Sequence, residues 1–257
     1  MPGMNKTNAF MLGTATVMLG PQEDLFDLTP ATHSIGAVKN FTMTSEPTYT
    51  ELTLGVRNDL AHSIMTQNPV RATMEVFEFT ARNLTYGLGL DGSKVADGVG
   101  TSSTVATSAT GGSEIDVKAG DGANFTVGDI IAIDVDGDEN VLIRTIGTID
   151  TDSLTLTEEI PASVTVPVGA EVHKVSEVNI GSKAEQPFLS AKIVGRLADE
   201  SPLVLLVPKV RITRGFTLAF TTDDYGNLPF EFSVYNLAAT DPHFAEFGRN
   251  TAKLYRT

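Results

Sequence analysis

Residues 228–248 read LPFEFSVYNLAATDPHFAEFG, and the first seven of them set the fold class. Phe230, Phe232 and Val234 alternate with Glu231 and Ser233. Successive side chains of an extended strand point to opposite faces, so this period puts the large apolar groups on one face and the polar groups on the other. Upstream, TDDYGNLP reads as a turn, and Phe216, Leu218 and Phe220 alternate with Thr217 and Thr221 before it. Further back, Leu206, Val210 and Ile212 are set against Val207, Lys209 and Arg211. Near the start, Leu52, Leu54 and Val56 are set against Thr53, Gly55 and Arg57. The chain is therefore expected to be mainly β and antiparallel.

One segment follows a different period. Met74, Phe77, Ala81, Leu84 and Leu88 recur at spacings of three and four, which makes one stripe on a helix. That spacing predicts an amphipathic helix of about four turns between Val70 and Leu90, with Gly87 and Gly89 suited to end it.

Charge divides the chain. Residues 91–175 hold 15 acids and 4 bases, a net of −11, while the remainder holds 17 and 14, a net of −3; together they give the overall −14. The stretch DGSKVADGVGTSSTVATSATGGS, residues 91–113, contains almost no large apolar group and reads as a flexible linker. From Glu114 to Val175 the strand pattern returns: Ile131, Ile133 and Val135, then Val141, Ile143 and Ile146, then Leu154 and Leu156, then Val164, Val166, Val168 and Val172. The expected organisation is a discontinuous β domain, 1–90 plus 176–257, of sandwich or barrel type with one flanking helix. The linker 91–113 and an inserted acidic all-β domain, 114–175, barrel or Ig-like, interrupt it.

With 18 basic residues against 32 acids, the chain is poorly suited to holding nucleic acid by phosphate contacts or to lying on an anionic membrane. No run approaches the roughly 20 apolar residues of a spanning helix. The stretch FMLGTATVMLG, Phe10 to Gly20, has only Lys6 among basic residues before it and no small-x-small cleavage pattern, so it reads as an arm and a first strand. Four sequons, at Asn5, Asn40, Asn83 and Asn124, read as chance in a Thr-rich chain.

Chemistry-bearing motifs are missing. The chain has no Cys, and its four histidines, His33, His62, His173 and His243, lie far apart without metal-ligand spacing. No G-x-S-x-G elbow, GxxxxGK[ST] loop or strand-linked GxGxxG occurs. The run DVDGDEN, Asp134 to Asn140, offers Asp134, Asp136 and Asp138 as metal candidates. Glu139 and Thr145 stand where a calcium loop needs its Gly and its final carboxylate, so a tight hairpin turn is the preferred reading. No cofactor is expected. A hydrolase survives only in that a spatial triad leaves no sequence motif.

The order of elements, with NLTYGLGL closing the helical segment and PFEFSVYNLAATDPHFAEFG closing the strands, resembles the tail tube (major tail) proteins of tailed bacteriophages. The resemblance covers roughly residues 10–90 and 180–250 and not the insert. It implies a structural virion protein rather than an enzyme, assembled in the bacterial host cytoplasm into hexameric rings that stack into a tube. Sheets of neighbouring copies would join into an inner β barrel through which double-stranded DNA passes without specific binding. The other implied partners are the tape measure, terminator and baseplate or tip proteins, with a sheath where the tail is contractile; no membrane is involved. The segment Thr48 to Val70 would be a long hairpin reaching the next ring, with Leu60, Ile64 and Met65 as inter-subunit contacts. The insert would be displayed on the tube exterior. Two further readings stay open: a tube subunit of a phage-derived injection device, and a surface adhesin or carbohydrate-binding β protein. The lack of Trp, a common sugar platform, counts against the second.

Overall fold

The computed structural model describes residues 15–54, 59–95, 102–135, 140–181, 186–197, 200–217 and 226–256. In chain order the first elements are β1 (Thr16–Pro21), α1 (Pro30–His33), β2 (Val38–Ser45), β3 (Thr48–Leu54), β4 (Asp59–Gln67), β5 (Val70–Val76) and α2 (Ala81–Gly87). Eight short strands follow: β6 (Ser102–Thr104), β7 (Ala109–Thr110), β8 (Glu114–Asp116), β9 (Ile130–Asp134), β10 (Val141–Asp150), β11 (Ser153–Leu156), β12 (Thr165–Val166) and β13 (Glu171–Val175). The chain ends with β14 (Leu189–Arg196), β15 (Pro202–Arg214), β16 (Leu228–Val234), α3 (Phe244–Phe247) and β17 (Lys253–Arg256). The protein is mainly β, and it divides into two compact units, Met1–Val95 with Asn179–Thr257, and Ala96–Val178.

The first unit is built on an antiparallel sheet in the order β1-β14-β15-β16-β5-β2, with β17 added along the first half of β15. Its core takes alternate residues from each strand: Val17 and Leu19, Ala72, Met74 and Val76, Ala191 and Ile193, Phe230 and Phe232. Ile35 N donates to Val17 O at 3.1 Å and Ser34 bridges Met18, so the chain entering β2 first runs beside β1. Because β2 then pairs with β5 at the other end of the sheet, the sheet curls into a barrel. Among the described residues, the contact between β1 and the chain entering β2 runs through Ser34 and Ile35.

Three expectations for this unit are corrected. Val207 faces the core with Val210 and Ile212, while Leu206 turns to the other face and packs with Leu25, Leu237 and Phe247. The cause is a bulge: pairing passes from Leu189↔Val210 to Ala191↔Val207, leaving one extra residue on β15 beside Pro208, which has no N–H to give the ladder. Second, the four-turn helix is two elements. Val70, Ala72, Met74 and Val76 are buried alternately in a strand, and the helix is only the 7 residues of α2. Thr80 starts it, its side chain accepting from Asn83 N at 3.1 Å. Met74 and Phe77 matched the helical stripe by spacing alone. Third, Phe216 and Thr217 lie beyond the end of β15 and outside any strand, and Leu218 to Phe220 fall outside the described residues.

α2 is locked against the sheet by its polar groups. Asn83 is buried, and its Nδ2 donates to Ile35 O at 2.9 Å and Glu78 O at 2.8 Å. Tyr86, fully buried, donates through its hydroxyl to Leu19 O at 3.3 Å. Each would otherwise carry an unmet donor in the interior.

The second unit is a small barrel. Its sheet runs β6-β13-β9-β10-β11-β8, and the ends meet: Val105 bridges Val117, Lys118 N donates to Thr104 O and Ala106 N to Asp116 O. Closure removes the free edges of this sheet. Its core centres on Ile115, Val117, Ile131, Ile133, Ile146, Leu154 and Val172. The expected linker is corrected here, because Ser102–Thr104 pairs with β13, Ala109–Thr110 with β12, and Val105 is buried. Ser and Thr supply backbone and small side chains to the barrel wall, and Val105 anchors them. On β10 Val141 and Ile143 are exposed, while Leu142 packs against the core. Lys174 Nζ lies 2.7 Å from Asp129 Oδ2, which also accepts from Thr126 N at 2.8 Å.

Candidate assembly interface

β3 and β4 pair as a two-stranded antiparallel ladder that, among the described residues, belongs to no larger sheet. Its base is fixed where the chain leaves β2 and enters β5. Glu46 N donates to Pro69 O at 3.2 Å, Ser45 Oγ to Asn68 Oδ1 at 2.7 Å, and Thr66 Oγ1 to Thr48 O at 3.2 Å. Beyond that base all 7 residues of β3 and all 9 of β4 are exposed.

Leu60, Ile64 and Met65, the contact residues expected from sequence, are 58%, 56% and 52% exposed. Three more join them that sequence reasoning did not single out as contacts: Tyr49, Leu52 and Leu54, each more than half exposed. The register sorts these six onto two faces. Thr50 opposes Ile64 and Leu52 opposes His62, putting Leu52, Leu54 and Ile64 on one face. Tyr49 opposes Met65 and Thr53 opposes Leu60, putting Tyr49, Leu60 and Met65 on the other. The alternation of Leu52 and Leu54 with threonines was legible, but it looked like a strand with one face on a core.

An isolated hairpin is marginal in water, and large apolar side chains on both of its faces gain nothing from exposure. Tyr49 and Leu60 can each remove well over 1 kcal/mol of apolar surface from water once a partner covers them. The outer edge of β2 also has no strand partner among the described residues, and unpaired edges template further pairing. Among the described residues the first unit thus has an apolar hairpin that belongs to no larger sheet, whereas the barrel sheet of the second unit closes on itself.

The other sequence candidates are dispersed. Asp134 ends β9 and faces β10 in a hairpin, while Asp136 and Asp138 fall outside the described residues. Among the described residues, no three His, Asp or Glu side chains gather to hold a metal ion. The four histidines sit in α1, β4, β13 and the turn before α3. His33 is tied to Thr29 and Thr32, His173 to Glu171 at 2.9 Å, and His243 to Glu23 O at 3.1 Å. Among the described residues, no helix is long and apolar enough to cross a membrane. No family model matches the chain, and no curated protein matches it either.

Proposed function

We propose that this chain is a structural subunit that assembles with copies of itself into stacked rings forming a tube of the phage tail type. The single observation that carries this reading is the β3–β4 pair, exposed at every residue of both strands with large apolar residues on both faces. A second copy of the chain, presented at ring spacing, is a partner that could cover both faces. β2 ends the sheet among the described residues, and a sheet edge gives a means for the sheets of adjacent copies to continue into one another. In this reading the protein is not an enzyme, double-stranded DNA passes through the tube without specific contacts, and the second unit is displayed outside. Six copies per ring, the virion location, and contacts with tape measure, terminator and tip proteins follow from the resemblance stated above.

Negative-stain electron microscopy of the concentrated full chain, with its sedimentation profile, tests the reading. Rings or hollow tubes are expected. A uniform monomer at every concentration would overturn it, and monomers that bound a glycan array would favour an adhesin instead.

A further inference from the structure

The two units carry very different charge. Residues 96–178 hold 15 acids and 3 bases, a net of −12, which leaves −2 for the rest of the chain. None of the described carboxylate side chains of the second unit is buried. Glu114 on β8, Glu158 and Glu159 after β11, Glu171 on β13 and Glu177 beyond it are exposed, so the charge is spread around the barrel instead of gathered at one site. Little of it is neutralised from within. Lys174 is taken by Asp129 at 2.7 Å, and Arg144 donates to the carbonyl oxygens of Ile143 and Glu159. The first unit carries the opposite hazard. Tyr49, Leu52, Leu54, Leu60, Ile64 and Met65 are exposed apolar groups, and such a surface joins other copies with little regard to register. Its own small charge does little to oppose that.

We propose that the second unit is an electrostatic brake on self-association, an inference that rests on the tube-subunit reading above. It is tethered to the assembling unit, so every contact between copies brings two bodies of −12 toward each other. A folded unit of roughly 80 residues has a radius of gyration of about 12 Å. Two such bodies side by side put their charged surfaces well within the roughly 30 Å over which charges act in 0.01 M salt. At physiological ionic strength that reach falls to about 8 Å. Like charge spread over a surface opposes approach without a specific contact, and it keeps a chain with exposed apolar strands soluble. The brake is therefore strong in dilute salt and released as salt rises, so ionic strength sets the concentration at which hairpins engage.

Sedimentation of the full chain across a range of sodium chloride, from about 10 to about 300 mM, tests this. The concentration for half-assembly should fall about tenfold over that range. The full-length variant E114Q/E158Q/E159Q/E171Q/E177Q alters only exposed side chains and reduces the unit's −12 to −7. It should assemble at a several-fold lower concentration than the parent in dilute salt and converge with it at high salt. The matching E114D/E158D/E159D/E171D/E177D chain keeps every charge and should follow the parent throughout. A parent threshold that does not move with salt would overturn the brake and leave the tube reading standing. So would a Gln variant that melts like the parent and tracks it at every salt concentration. An Asp variant that behaves like the Gln variant would refute charge as the cause. No assembly of the parent at any concentration or salt would overturn both the brake and the tube reading.

Discussion

Lys209 Nζ on β15 lies 2.5 Å from Asp241 Oδ2 in the turn before α3, and only 12% and 18% of the two side chains are exposed. The same carboxylate oxygen accepts from Ala238 N at 2.7 Å, and the ammonium sits 4.3 Å from the centre of the Phe188 ring. This pair fastens the C-terminal segment over the face of the sheet where Leu206, Leu237 and Phe247 pack.

The pair makes the first unit acid-sensitive. The Lys209 ammonium, with Ala238 N–H, holds the Asp241 carboxyl below its ordinary 3.8 despite partial burial. A carboxyl depressed in the folded state binds a proton more readily when unfolded, so its contribution is fully present above about pH 4 and fades as pH falls through the folded value. Asp241→Asn should cost about 1–2 kcal/mol at neutral pH and less at pH 3. Urea unfolding at the two pH values checks this; an equal cost at both would show that the charge contributes nothing.

A steric relationship between α2 and the end of β15 gives a second expectation. A methyl placed on Gly87 would lie 2.7 Å from Gly215 O and 3.2 Å from the Phe230 ring, and one on Gly215 would lie 2.9 Å from Gly87 Cα. Neither site can relax by moving a flexible side chain, since the nearest atoms are backbone. Gly87→Ala should therefore destabilise by about 1–3 kcal/mol, although alanine favours helix by itself. Gly112, which has no atom within 4 Å but a φ of +74, separates the two causes. Alanine there should cost only the backbone strain of about 1–2 kcal/mol. A melt of Gly87→Ala equal to the parent would mean that the helix and strand are free to separate.

The fold class was legible because its signal is local. Phe230 and Phe232, or Ile131 and Ile133, alternate within one strand, and burial follows the alternation. What failed was either short or non-local. The bulge at Pro208 swaps the faces of Leu206 and Val207, and its position is set by β14 pairing from another part of the chain. Ser102–Thr104 resembled a linker because three small polar residues carry no hydrophobic period; only the pairing with β13 makes them a strand. Met74 illustrates the converse, since an i, i+3 match to Phe77 outweighed the alternation of Val70, Ala72, Met74 and Val76. In the candidate interface Leu60, Ile64 and Met65 were named from sequence. Tyr49, Leu52 and Leu54 were not, because exposure on both faces of a strand leaves no mark in its spacing.

The second unit should fold alone. Its core has its own buried set, including Ile131, Ile133, Leu154 and Val172, and its barrel closes through Val105 and Val117. Residues 96–178 expressed separately should melt cooperatively with a β-type circular dichroism spectrum. The rest of the chain, joined by a short Gly-Ser link in their place, should still assemble. If either part is unfolded, the two units depend on each other for stability.

The hairpin separates folding from assembly. Leu52 and Ile64 share one face of it, and both are more than half exposed, so replacing them disturbs little packing within the subunit. Leu52→Glu with Ile64→Glu should leave the monomer's stability within about 0.5 kcal/mol of the parent. The same change places two carboxylates on a face that must be desolvated when a partner covers it, which costs far more than the apolar contact it replaces. If the parent assembles as proposed, sedimentation should show monomers of the variant at the same concentrations, with unchanged thermal melting. Tyr49→Ser with Met65→Ser on the opposite face distinguishes one-sided from two-sided burial. Loss of assembly there too would mean that the hairpin is enclosed on both faces. Normal assembly would assign the contact to the Leu52 face alone.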